Sequence, residues 1–77
     1  IPQEAILIGP GRKGTEKCAI VIEGGRVLGY TYFYLATDAL ELSMLKKKMV
    51  HLDHDAYSVG VVAHYMRIGY LKMQSED

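Results

Sequence analysis

His51-Leu52-Asp53-His54-Asp55 is the densest group of ligand-type side chains in the sequence. Two imidazoles and two carboxylates so close together have the donor set of a metal centre, and His64 lies further on. The same segment reads equally as a polar break between two helices, where Asp53 or Asp55 would cap the second. No metal and no cofactor are assigned to it. Gly9-Pro10-Gly11-Arg12-Lys13-Gly14 spells the G-x-G-x-x-G of a dinucleotide loop. That loop works only where a helix N-terminus follows and meets the pyrophosphate. Here Cys18-Ala19-Ile20-Val21-Ile22 follows, which is a strand pattern, so the segment is expected to connect antiparallel strands. Arg12, Lys13 and Lys17 remain candidates for contact with a phosphate or an acidic partner.

No arrangement of nucleophile and base is present. Cys18 is the single cysteine; it falls within a predicted strand, with nothing nearby to lower its pKa. Ser43, Ser58 and Ser75 lack the turn that exposes a catalytic serine. No Asp-x-Glu pair offers the carboxylates of a two-metal nuclease. The chain is therefore expected not to be an enzyme by itself. Tyr30, Tyr32 and Tyr34 alternate along one strand, so they share a face. Such a row stacks bases in single-strand binders and packs against protein at interfaces; packing is the expected role.

The elements that position these residues centre on a hairpin. Cys18 to Glu23 and Arg26 to Leu35 are apolar stretches joined by Gly24-Gly25. A two-residue type I′ turn needs positive φ at both central positions, which glycine adopts without steric cost. That turn predicts Glu23 opposite Arg26, Ile22 opposite Val27, Ile20 opposite Gly29 and Cys18 opposite Thr31. One face then carries Cys18, Ile20, Ile22, Val27, Thr31 and Phe33, and the other Ala19, Val21, Leu28, Tyr30, Tyr32 and Tyr34. Both faces are apolar, whereas a strand buried on one side alternates apolar with polar. A second chain or domain is a candidate to cover the surplus face.

Glu4 to Ile8 is a short strand ahead of the hairpin. After it, Asp38 and Glu41 resemble a capping box, and Leu42, Leu45, Met49 and Leu52 predict one apolar helical face. Lys46, Lys47 and Lys48 suit the end of that helix. A second helix carries Val59, Val62 and Met66, with Arg67 in its last turn and Gly69 just past its end. Tyr70 to Met73 extends the chain briefly, and Gln74 to Asp77 is expected to fray. The expected fold is α+β: a three-stranded antiparallel meander followed by two helices, β-β-β-α-α, with the helical pair against one face.

The chain has 77 residues, which makes residues 1–77 a single small domain. A domain this short is marginal alone. Its hydrophobic fraction of 49% exceeds what two short helices would hide, so an interaction surface is expected. Lys plus Arg balance Asp plus Glu at nine each, so bulk charge gives no support for nucleic-acid binding. A lone cysteine fits a reducing cytoplasm. No apolar run is long enough to span a membrane. The chain opens with Ile1-Pro2 rather than methionine, and the expectation is a piece of a longer protein.

Gly11-Arg12, then Glu16 with Cys18 two residues later, an apolar strand, Glu23-Gly24-Gly25 and Gly29-Tyr30 form a pattern. It resembles the Gly-Arg…Glu…Val-x-Gly-x-x-x-Gly-aromatic segments in the C-terminal region of bacterial exonuclease proteins similar to the epsilon (proofreading) subunit of DNA polymerase III. Asp55-Ala56-Tyr57-Ser58-Val59 through Tyr65-Met66 is similar to the Asp-x-Val…Tyr-Leu helix ending those chains. The resemblance spans roughly two-thirds of the sequence. The exonuclease motifs themselves, Asp-x-Glu and His-x-Ala-x-x-Asp, are absent, and His51…Asp55-Ala56 falls one residue short of the second. The resemblance thus implies a noncatalytic accessory module. It would form a homodimer or pack against an upstream exonuclease domain, with docking to DNA or a partner as its work. The alternative is a stand-alone binding module for a peptide or small ligand, using the tyrosine face.

Overall fold

A computed structural model describes residues 2–34 and 42–74. Three strands form the meander: β1 (Glu4–Pro10), β2 (Glu16–Glu23) and β3 (Arg26–Tyr34). Helix α1 (Leu42–Lys48), strand β4 (Val50–His51), helix α2 (Ala56–Arg67) and strand β5 (Lys72–Met73) follow. The α+β order of three antiparallel strands and then two helices is as the sequence implies, and two short strands are added. They extend the sheet at both edges, giving the order β4-β3-β2-β1-β5, antiparallel at every pairing. The Asp38–Glu41 capping box and the expected fraying of residues 75–77 lie outside the described residues. Gln74 donates its N–H to the Ile6 carbonyl at 2.8 Å, continuing the β5 pairing.

Gly24 and Gly25 turn β2 into β3 with φ of 61° and 72°, as a two-residue turn requires. Glu23 faces Arg26 and Ile22 faces Val27, as expected. Beyond them the register departs from expectation. An irregularity at Val21/Ile22 leaves Leu28 without a partner on β2, so Ile20 faces Tyr30 and Cys18 faces Tyr32, not Gly29 and Thr31. One extra residue in a strand inverts the facing of everything after it. Tyr30, Tyr32 and Tyr34 therefore share their face with Cys18, Ile20, Ile22 and Val27. Thr31 and Phe33 join Ala19 and Val21.

The helices do not lie together on one face. Leu45 of α1 packs with Ala19, Val21 and Phe33, flanked by Ile6, Ile8 and Met49. Val62 of α2 packs with Leu7, Ile22 and Val27, flanked by Ile20, Leu52 and Met66. Leu7 pairs with Ile20 and Ile6 with Val21, so these two cores occupy opposite sides of the sheet. Each apolar face of the meander has its own helix. A single helical stripe through Leu42, Leu45, Met49 and Leu52 is likewise not formed. The helix ends at Lys48, and β4 carries the chain past the sheet edge, with Met49 in one core and Leu52 in the other.

That crossing is tightly fitted. A Cβ on Gly29 would collide with the Val50 carbonyl oxygen, so only glycine lets β4 approach β3 here. Leu52 N–H donates to the Leu28 carbonyl at 2.9 Å. His54 Nδ1 then accepts the Val27 N–H at 3.0 Å, which lengthens the ladder by a side chain. α2 begins at Asp55, whose carboxylate accepts the Ser58 N–H at 2.8 Å. It ends in a Schellman motif: Gly69, φ 81°, donates to the Met66 carbonyl, and Tyr70 donates to Tyr65.

Replacing Gly25 with valine should lower stability by about 1 kcal/mol or more, because a β-branched residue resists positive φ. Urea denaturation followed by circular dichroism measures it, and an unchanged midpoint would contradict the turn.

Candidate functional site

The loop between β1 and β2 spans residues 11–15. It is closed by a clamp rather than left as an open connector. Gly11 N–H donates to the Glu16 carbonyl at 2.9 Å, and Glu16 N–H to Lys13 at 3.1 Å. The Arg12 N–H meets Glu16 Oε1 at 2.8 Å, and its guanidinium grips both carboxylate oxygens, Nε to Oε1 at 3.0 Å and Nη2 to Oε2 at 2.7 Å. A Cβ on Gly11 would lie 2.7 Å from the Glu16 backbone, so the loop closes only around glycine. The Glu16 side chain is 2% exposed. A buried carboxylate is tolerable when a bidentate cation and a backbone N–H satisfy it. The Arg12 bonds hold the Glu16 carboxyl down at about 2, and the same contact raises Arg12 beyond its ordinary value.

The phosphate candidates are thereby separated. Arg12 has its charge matched by Glu16 and lies over the Tyr32 ring at 4.0 Å, on the tyrosine side of the sheet. Lys17 pairs opposite Phe33 and so belongs to the other side. Lys13 stands exposed in the loop. No anion cradle is built from the three.

Tyr30 and Tyr32 of the tyrosine row instead form one wall of a groove. Tyr30 and Tyr32 are half-buried and meet edge to face, with centroids 5.7 Å apart. Tyr34, at the strand end, is exposed. Between this row and the N-terminal half of α2 runs an open apolar cleft of about 330 Å³. Cys18 and Ile20 line its floor and Tyr57, Ser58 and Val61 its far wall. Burial, and then the charge of Glu16, push the Cys18 thiol up. It is no activated nucleophile.

Two ligand-type residues of the His51–Asp55 segment are taken up by the fold. His54 holds a backbone N–H, and the Asp55 carboxyl caps α2, which lowers its pKa. Among the described residues, no three His, Cys, Asp or Glu side chains stand close enough to share a metal ion. Also among them, no helix is long and apolar enough to cross a membrane. Sequence reasoning missed both Glu16 as the partner of Arg12 and His54 as a ladder acceptor. Opposite charges four residues apart across a glycine-rich turn were the available signal for the first. The second had none, since it depends on where β4 lands.

No protein-family model, curated protein or solved structure matches the chain.

Glu16→Gln should weaken the fold at neutral pH. The folded value of Glu16 lies below its unfolded value of 4.5. Its contribution is therefore complete above 4.5 and lost as pH falls toward about 2. Urea midpoints of wild type and variant should differ at neutral pH and converge across that window; a constant gap would refute the clamp. Separately, His54→Leu strands the buried Val27 N–H and should cost about 1–3 kcal/mol in the same assay.

Proposed function

We propose that this chain is a noncatalytic C-terminal accessory module of a bacterial, cytoplasmic 3′–5′ exonuclease resembling the epsilon subunit of DNA polymerase III. It would act by self-association or by docking the nuclease to DNA or to a partner. One observation carries this reading: the residues of the shared pattern do architectural work. Gly11, Arg12 and Glu16 close a loop, Gly24-Gly25 make the turn, and Gly29 admits β4. Asp55 caps α2, and the Tyr65 carbonyl receives two N–H groups at its other end. Similarity at such positions supports similarity of fold, and it carries no chemistry with it. The zero net charge and the pairing of Arg12 with Glu16 favour a protein partner over DNA.

The apolar groove favours the second reading, a stand-alone module that binds a peptide or small ligand. An exonuclease domain encoded upstream in the same reading frame would decide for the first.

Purified chain incubated with end-labelled single-stranded DNA and Mg²⁺ or Mn²⁺ should leave the substrate intact. Degradation abolished by Asp53→Ala, an exposed carboxylate outside the α2 cap, would overturn the noncatalytic reading.

A further inference from the structure

Helix α2 is apolar on two opposite sides. Val62 is buried in the core, with Met66 packed against that core and Val59 half-buried. Tyr57, Val61, Tyr65 and Ile68 repeat at spacings of four, four and three and face solvent, at 80%, 37%, 39% and 59% exposed. A surface helix normally turns charge outward. From Ala56 to Met66 this one has no Asp, Glu, Lys or Arg. Tyr70, 49% exposed, stacks against Tyr65 with centroids 5.2 Å apart and widens the patch. Tyr57 and Val61 also wall the tyrosine groove, so ridge and groove are one continuous surface.

We infer that this outer face of α2 is the contact between two copies of the chain, packed antiparallel about a two-fold axis near Val61. The inference rests on the accessory-module reading and specifies its partner and surface. Two properties select a second copy. First, no Asp, Glu, Lys or Arg lies between Ala56 and Met66, and the exposed Arg67 beside Ile68 falls at opposite ends of an antiparallel pair, so two copies meet without like-charge repulsion at the axis, whereas a charged partner would bury unpaired groups. Second, the area suffices. Taking about 200 Å² for a whole tyrosine, Tyr57, Tyr65 and Tyr70 present about 300 Å² per copy. Val61 and Ile68 raise this to about 500 Å², so two copies that cover all of it bury about 1,000 Å², the lower limit for a specific interface. In this arrangement Tyr57 of each copy meets Tyr65 of the other, and the contact is isologous, which is the commonest closed form.

Sedimentation equilibrium from micromolar to millimolar protein tests it. Wild type should dimerise. Val61→Glu and Val61→Lys should each be monomeric, and an equimolar mixture of the two should associate again, because opposite charges then meet at the axis. Tyr57→Lys, at a mostly exposed ring, guards against loss of folding at Val61 and should also be monomeric. A monomeric wild type throughout would overturn the dimer, as would a dimer that survives both Val61→Glu and Tyr57→Lys. Binding of α2 to a separately added exonuclease domain in place of self-association would assign the face to that domain and overturn it too. Nuclease activity in a dimeric wild type would instead defeat the accessory reading and leave the association standing.

Discussion

The meander formed by β1, β2 and β3 is apolar on both faces, and this constraint governs the rest of the structure. A sheet of this kind is stable only with a layer on each side. A chain this short meets the demand by placing α1 on one face and α2 on the other. To do so it must pass around the sheet edge between the two helices. β4 is that passage, and several local features exist to permit it. Gly29 clears the way for the Val50 carbonyl, and His54 takes the N–H that β4 is too short to reach. β5 completes the opposite edge, where Leu71 enters the α2 core.

The Arg12–Glu16 clamp solves a related problem at the far end of the hairpin. Glu16 starts β2 on the tyrosine side of the sheet, where a carboxylate would otherwise lie unpaired. Arg12 neutralises it and spreads over Tyr32, so the Glu16 carboxylate is buried while the Arg12 side chain stays exposed to solvent. The groove and the outer side of α2 are among the apolar surfaces that the two helices leave open.

Elements set by local chemistry were legible in the sequence. Gly24-Gly25 demanded a turn, Asp53 or Asp55 and then Gly69 marked the ends of α2, and the β-branched run through Ile22 marked a strand. The errors arose where tertiary contacts decide. Leu42, Leu45, Met49 and Leu52 have helical spacing, yet the edge pairing of Val50 and His51 ends the helix before the stripe is complete and sends Leu52 to the other core. Two-residue strands such as β4 and β5 have no period to detect. The Arg12–Glu16 pairing was hidden as well, because a charge count does not reveal that Glu16 is buried beside Arg12. The bulge escaped notice because nothing in Arg26–Tyr34 distinguishes the paired residues from the extra one.

Leu28, without a partner on β2, makes this sheet sensitive to the parity of its length. Shortening β3 by one residue there would keep the composition, the turn and nearly every apolar side chain. It would nonetheless send Tyr30, Tyr32 and Tyr34 to the side of α1 and Phe33 to the side of α2, exchanging bulky rings between two cores shaped for different contents. The loop at residues 11–15 lies outside the ladder, and a change of length there leaves the facing of β2 and β3 untouched, at the expense of the clamp alone. Along this chain, tolerance to insertion and deletion is therefore set by whether a residue is counted in the alternation of a strand, and only secondarily by its exposure or chemical type.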